Sequence, residues 1–320
     1  MKVLVTGATG LVGQVIVKEL KEQSIPVHYF TTSRKKIVSE EGYKGFYWNP
    51  SKMEFDSDAF EGVTTIINLA GATIAKKWTS SYKAKILQSR LNSLKTLRAG
   101  LEQTETHNID ALISASAIGI YPTSLTTYYE EHDKGVDDSF LGEVVEAWEK
   151  EMDTFSDSGI KVAKLRIGVV LSDKGGALPK MAQPIANYVG AAFGSGNQWQ
   201  SWIHITDLAR MFIYVMEKGL IGTFNAVAPN PVTNAKLTKE LAKVLNKPLL
   251  LPNVPKVMME LVLGEMAYLL FASQRVSSKR IEKNGFIFTY KNICTALESF
   301  YDGTACNETS AESRYEENFS

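Results

Sequence analysis

The chain has 320 residues, enough for one large or two unequal domains around a substantial core. Lys plus Arg equals Asp plus Glu at 35 each, so no cationic excess is available to hold nucleic acid or an anionic membrane. Hydrophobic residues make up 44%, as in ordinary globular proteins, and two cysteines, Cys294 and Cys306, supply neither a disulfide framework nor a zinc site, which suits a reducing cytoplasm.

Val3-Leu4-Val5 is a short, mostly β-branched run and predicts a buried strand. Met1-Lys2 lead straight into it, so no leader peptide is expected. Glycines follow at 7, 10 and 13. Gly7 permits a tight turn, Gly10 lets the backbone approach a diphosphate, and Gly13 lets the following helix pack close. That helix, predicted from Leu11 to Gln23, points its first amides at the diphosphate. Gly7, Thr9, Gly10, Leu11, Val12 and Gly13 are therefore the expected cradle of a dinucleotide.

Pro26 to Thr31 predicts the second strand. An NAD site places a carboxylate near the end of this strand, about twenty residues past the glycine turn. Here the segment reads Thr32-Ser33-Arg34-Lys35, a pair of hydroxyls and then cations. An arginine fork grips the 2′-phosphate of NADP through charge-assisted bonds. NADP is therefore the expected cofactor, with NAD less favoured.

Thr64 to Leu69 predicts a third strand, and a long helix runs from Ser80 to Gln103. Arg90 falls in the apolar stripe of that helix with Ile86, Leu94, Leu97 and Leu101. A buried guanidinium needs a partner: a structural carboxylate, the cofactor or an anionic substrate. Further strands are predicted at Asp110 to Ser114 and Lys161 to Arg166, flanking a helix from Ser139 to Ser158. This alternation predicts a doubly wound parallel sheet of Rossmann type.

The pattern loosens after about residue 175, where prolines multiply and Gly190 to Gly196 reads as a loop. Residues 1–175 are expected to form the dinucleotide-binding domain, some later segments returning to it, and 176–302 a smaller substrate lobe. Residues 303–320 read as a polar, acidic tail. Within the lobe, Thr206 or Asp207 is expected to cap the helix Leu208 to Lys218, and His204 reads as structural. Trp199 and Trp202 either wall the pocket or fill it. The apolar run Val257 to Phe271, interrupted by Glu260 and Glu265, reads as a core helix and not a membrane span. His28, His107 and His132 show no metal-ligand spacing, and no metal is expected.

Asn68-Leu-Ala-Gly71, Gln88-Ser89-Arg90, Leu165-Arg-Ile-Gly-Val-Val-Leu171 and Ser201-Trp-Ile-His204-Ile-Thr-Asp207 occur in this order. With Phe224-Asn-Ala-Val-Ala-Pro229 and Ser273-Gln-Arg-Val276, they resemble the atypical short-chain dehydrogenase/reductases grouped as epimerase family proteins. The resemblance implies that Asn68, Ala70 and Gly71 line the cofactor and that Arg90 stands where ordinary members carry a site asparagine. It implies that Ser116, taken as lying just past its strand, binds a reacting oxygen and meets the cofactor. Tyr121 would then supply a phenol near the nicotinamide. Ordinary members use a Tyr-x-x-x-Lys pair as acid and base. The matching positions here are Leu141 and Val145, which carry no proton.

The expected activity is NADP(H)-dependent hydride transfer on a small polar molecule, in a cytoplasmic protein with a homodimer left open. The alternative is a dinucleotide-binding sensor or scaffold without turnover.

Overall fold

Short β-branched runs separated by amphipathic helices set the architecture, described here from a computed structural model over residues 1–104 and 108–301. His107, Cys306 and the tail 303–320 lie outside the described residues. β1 (Val3–Thr6) leads into α1 (Leu11–Glu22) and β2 (Val27–Thr31). An edge ribbon follows, made of β3 (Ser39–Glu40), β4 (Tyr43–Asn49) and β5 (Glu54–Phe55). The chain continues through β6 (Thr65–Asn68), α2 (Ser80–Gln103), β7 (Ala111–Ala117) and β8 (Tyr128–Tyr129) to α3 (Phe140–Asp153) and β9 (Lys161–Ile167).

Next come β10 (Val169–Leu171), α4 (Leu178–Ala186), β11 (Trp199–Gln200), β12 (Trp202–His204) and α5 (Ile205–Glu217). β13 (Gly222–Ala226), β14 (Val232–Thr233), α6 (Asn234–Val244) and α7 (Lys256–Leu263) follow. The described chain closes with α8 (Tyr268–Phe271), β15 (Arg275–Val276), α9 (Lys279–Lys283) and α10 (Ile293–Glu298).

The main sheet runs β13-β9-β7-β6-β1-β2-β4-β3, with β5 attached to β4. From β13 to β4 every pairing is parallel; β3 and β5 are antiparallel. The chain steps outward from β1 to β4, then returns to β6 on the other side of β1. That reversal is the switch point of a doubly wound sheet, and a crevice opens at the carboxyl ends of β1 and β6. α1 packs on α5 and α2 on α3. Thr79 caps α2 by accepting from the Tyr82 amide, and Ser139 caps α3 by accepting from the Gly142 amide.

The second half has its own apolar cluster, with Leu178, Trp202, Leu237, Leu241, Ile293 and Leu297 at its centre. β13 nevertheless rejoins the main sheet beside β9. The apolar run 257–271 is not a core helix. Pro255 precedes α7, and Gly264, at φ +60°, ends it after two turns. α7 buries none of its residues, and Leu261 is 88% exposed. Only the second part of the run packs: Met266, Tyr268 and Leu269 lie against Trp78, Ile86 and Val144. Among the described residues no helix is long and apolar enough to cross a membrane.

Candidate functional site

The glycine turn closes the amino-terminal side of the crevice. Gly7 has φ +71°, and a side chain there would come within 3.1 Å of the Leu69 carbonyl group. Gly7 thus lets the ends of β1 and β6 approach. Gly13 is tighter still, since an added Cβ would stand 2.2 Å from the Gly7 oxygen. Gly10 is different. It is exposed and meets only the Gly7 oxygen, at 3.2 Å. It is also the N-cap of α1 and offers no side-chain acceptor to the first amides, those of Leu11, Val12 and Gly13. Those amides are free to receive an anion. Gln14 Nε2 donates to the Thr9 carbonyl at 3.1 Å and steadies the turn.

The side chain of Asn68 has a structural task. It accepts from Thr6 Oγ1 at 2.7 Å and donates to Ser114 Oγ at 2.9 Å, tying β1, β6 and β7 together. It is wholly buried, and its side chain is engaged within the sheet. Thr6 Oγ1 also accepts from the Leu69 and Ala70 amides, at 3.1 and 3.2 Å. Ala70 and Gly71, half-buried and exposed, begin the loop that walls the crevice.

The cations stand at the end of β2. Arg34–Lys36 form one tight turn. Thr32, Arg34 and Lys35 are exposed, and Ser33 is half-buried. The Ser33 amide donates to Thr31 Oγ1 at 3.2 Å. The Arg34 guanidinium lies 4.0 Å from the centre of the Tyr47 ring on the adjacent β4. Neither Arg34 nor Lys35 pairs with a carboxylate among the described residues.

Arg90 approaches from α2. Its Nη1 donates to the carbonyl oxygens of Ile86 (2.9 Å) and Ala72 (3.2 Å). Its guanidinium lies over the Trp148 ring at 5.0 Å. A side chain at Gly71 would meet its Cζ at 3.3 Å. Burial lowers its pKa to about 10, so it remains a cation near neutral pH. Of the partners open to it in the sequence, a carboxylate is absent among the described residues. Ser89, which sequence reasoning passed over, accepts from the Ala72 amide at 2.8 Å. Ser89 and Arg90 therefore hold both backbone groups of Ala72.

The expectations for Ser116 and Tyr121 meet a different geometry. β7 extends through Ala117, so Ser116 lies inside the strand, opposite Arg166. Its Oγ donates to Glu149 Oε1 at 2.6 Å, and the residue is 2% exposed. Glu149 receives Arg166 Nε and Nη2, each at 2.9 Å. Burial alone would raise the Glu149 pKa; the Arg166 guanidinium and the Ser116 hydroxyl outweigh it and hold the carboxyl below its usual range.

Tyr121 completes the cluster. Its hydroxyl donates to Asn225 Oδ1 at 2.7 Å and accepts from Arg166 Nη1 at 2.9 Å. It has no exposed surface, and burial pushes its pKa up to about 12 despite the opposing Arg166 and Asn225. The phenol expected as a proton donor is instead a core group. The signal for Glu149 was present: it shares a buried helix face with Val145, Trp148 and Met152. Arg166 sits in the buried run Val162–Ile167.

Leu141 and Val145 occupy the positions of the missing Tyr and Lys. Val145 is buried with Ile118, Ile120 and Tyr121. Leu141 faces Gly119, where a side chain would meet its Cβ at 3.5 Å. Leu141 packs on the cluster of Trp78, Ile86 and Val144, as do the half-buried Ile74, Leu87, Phe140, Met266 and Leu269. This cluster is apolar.

His204, not Thr206 or Asp207, caps α5, its Nδ1 accepting from the Thr206 amide at 3.1 Å. Its ring lies between Tyr290 (3.8 Å) and Phe300 (4.5 Å). Burial lowers its pKa to about 4. Asp207 is buried and accepts from the Thr289 and Tyr290 amides. Trp202 is buried, with Nε1 donating to the Asn230 carbonyl; Trp199 is half-buried over Arg275.

The chain matches the model of the NAD dependent epimerase/dehydratase family over residues 3–226, and a domain of unknown function over 254–300. An epimerase family protein of Staphylococcus epidermidis is 37% identical over 296 residues, covering 92% of this chain and 97% of its own. One from Staphylococcus aureus is 36% identical with the same coverage. The crystal structure of human epimerase family protein SDR39U1 (isoform 2) with NADPH superimposes with a TM-score of 0.81. It is 25% identical, over 94% of this chain and 99% of that one. UDP-glucose 4-epimerase of Thermus thermophilus, in complex with NAD, shares the fold at a TM-score of 0.72 and 18% identity, over 95% of this chain and all of its own.

Proposed function

The chain belongs to the NAD dependent epimerase/dehydratase family, and from that membership we propose that it is an NADP(H)-dependent oxidoreductase. The observation that carries the cofactor choice is the end of β2. There Thr32, Ser33, Arg34 and Lys35 offer hydroxyls and cations, the cations unpaired among the described residues, where an NAD site keeps a carboxylate. Stacking on Tyr47 holds Arg34 ready for a 2′-phosphate. The human relative was solved with NADPH, which supports the same choice.

The first amides of α1 and the open face of Gly10 receive the diphosphate. Ala70 and Gly71, backed by Ser89 and Arg90, line the nicotinamide side. NADPH supplies a hydride when bound. Arg90 orients the bound partner and meets negative charge that develops on it. The Ser116 hydroxyl is committed to Glu149, so Ser116 acts by positioning β7.

Calorimetry with NADPH and NADH tests this directly. The wild type should bind NADPH more tightly. Gly10→Val should abolish binding of both forms; its Cβ would meet the Gly7 oxygen at 3.2 Å, so a modest fall of the thermal transition is expected with it, and circular dichroism should show the fold retained. No heat with either form in the wild type would reject the assignment. The sensor reading is favoured by one observation, the engagement of the Tyr121 and Ser116 hydroxyls within the core. Tight NADPH binding without turnover on aldehydes, ketones and quinones would establish it.

A further inference from the structure

Among the described residues no free acid is seen at the end of β7, and the cluster that holds Leu141 is apolar. Three phenols of this region spend their protons on protein acceptors. Tyr121 donates to Asn225 Oδ1, Tyr82 to the Thr73 carbonyl at 2.7 Å, and Tyr268 to Asp137 Oδ1 at 2.8 Å. Ionised groups of this region are likewise engaged. Lys83 pairs with Glu265, and Asp137 accepts from the amides of Thr123 and Ser139 as well as from Tyr268. Leu141 stands nearest Gly119, just past the end of β7, and shares one apolar cluster around Trp78, Ile86 and Val144 with the half-buried Ile74, Leu87, Met266 and Leu269; Arg90 lies one turn along α2 from Ile86 and Leu87.

A hydride delivered to an aldehyde or ketone leaves an alkoxide, which is about as basic as hydroxide, its conjugate acid ionising near the ~15.7 of water. Such a product needs an acid at hand. A hydride delivered to a quinone leaves a phenol-type anion whose conjugate acid ionises near ~10. That anion is about six orders of magnitude less basic, and a nearby guanidinium suffices to hold it. A quinone is also flat and apolar, matching that cluster.

We propose that the crevice accepts a quinone, its ring against Leu141 and its carbonyl oxygen toward Arg90. This rests on the NADP(H) reading above. The ring system gains two electrons and one proton as a hydride from NADPH, leaving NADP⁺. The hydroquinone monoanion takes its second proton from water. Leu141 and its neighbours exclude hydroxyl-rich substrates, and Arg90 compensates the anion.

The test uses the full chain with NADPH and three probes: 2-methyl-1,4-naphthoquinone, an aliphatic aldehyde and UDP-glucose. Quinone reduction should exceed aldehyde reduction at least tenfold, with no turnover of UDP-glucose. The quinone rate should change little from pH 6 to 9. A second readout is independent of turnover: quenching of tryptophan fluorescence by the naphthoquinone in the presence of NADP⁺. Leu141→Glu should weaken that binding at least tenfold while NADPH binding and the circular dichroism spectrum stay as in the wild type.

Equal or faster turnover of the aldehyde or of UDP-glucose would overturn the proposal. So would NADPH binding with neither quinone turnover nor quinone quenching. Failure to bind NADPH would reject the cofactor reading itself, and this one with it.

Discussion

At the scale of single residues, the glycine turn and the cationic rim were legible because both are local. Gly7, Gly10 and Gly13 act on backbone within a few residues or on one neighbouring strand, and Thr32 to Lys35 sit where the second strand must end. Arg34→Ala should therefore weaken NADPH binding about tenfold or more and leave NADH nearly unchanged, on the size of a charge-assisted bond. Equal losses for both cofactors, measured by calorimetry, would remove the 2′-phosphate contact. The bonds of Ser116 and Tyr121 were not legible because their partners are distant. Tyr121 meets Asn225 from 104 positions away and Ser116 meets Glu149 from 33, and no local pattern announces either bond. A hydroxyl after a strand looks the same whether it faces a ligand or a buried carboxylate.

At the scale of elements, the Glu149–Arg166 pair locks α3 to β9. Both side chains are under a tenth exposed, and Ser116 and Tyr121 use up further bonding capacity. Removing one partner leaves an uncompensated charge in the interior. Glu149→Gln should lower unfolding stability by about 3–5 kcal/mol, whereas the double variant Glu149→Leu with Arg166→Met should lose much less. Denaturant melts of the three proteins check this; equal losses in single and double variants would mean the pair is not the source.

Helix and strand positions were mostly readable from periodicity, and α2 spans the residues its pattern predicted. The apolar run 257–271 was not, because composition alone does not say which side a helix buries. Pro255 and Gly264 cut it into a short exposed helix and a packed turn.

At the scale of the whole molecule, His204 ties the start of α5 to the last segment of the described chain. It caps α5, stacks on Tyr290 and Phe300, and bonds Ser299 Oγ at 3.1 Å. Its pKa falls from the ordinary 6.5 to about 4. Below pH 6.5 the unfolded chain takes up a proton that the native state refuses, so stability should decline as pH falls from 6.5 toward 4. His28, also lowered by burial, acts in the same direction. His204→Asn keeps a capping side chain and should flatten this decline without abolishing it, as melts across that pH range would record. An unchanged slope would place the pH sensitivity elsewhere.

The parallel sheet and its switch point followed from strand–helix alternation. The β4 strand did not, and a later return to the sheet was expected without its segment being named, because Tyr43–Asn49 and Gly222–Ala226 are interrupted by glycine and polar residues.

That late return has a genetic corollary. β9 gains its outer neighbour from residues 222–226, and α1 gains its packing partner from 205–217. A gene truncated near codon 175 would encode a polypeptide with a bare sheet margin and an uncovered helix flank, an invitation to aggregate. The nucleotide-binding half is thus not a portable module, and shuffling it between proteins would have to carry the later segments along.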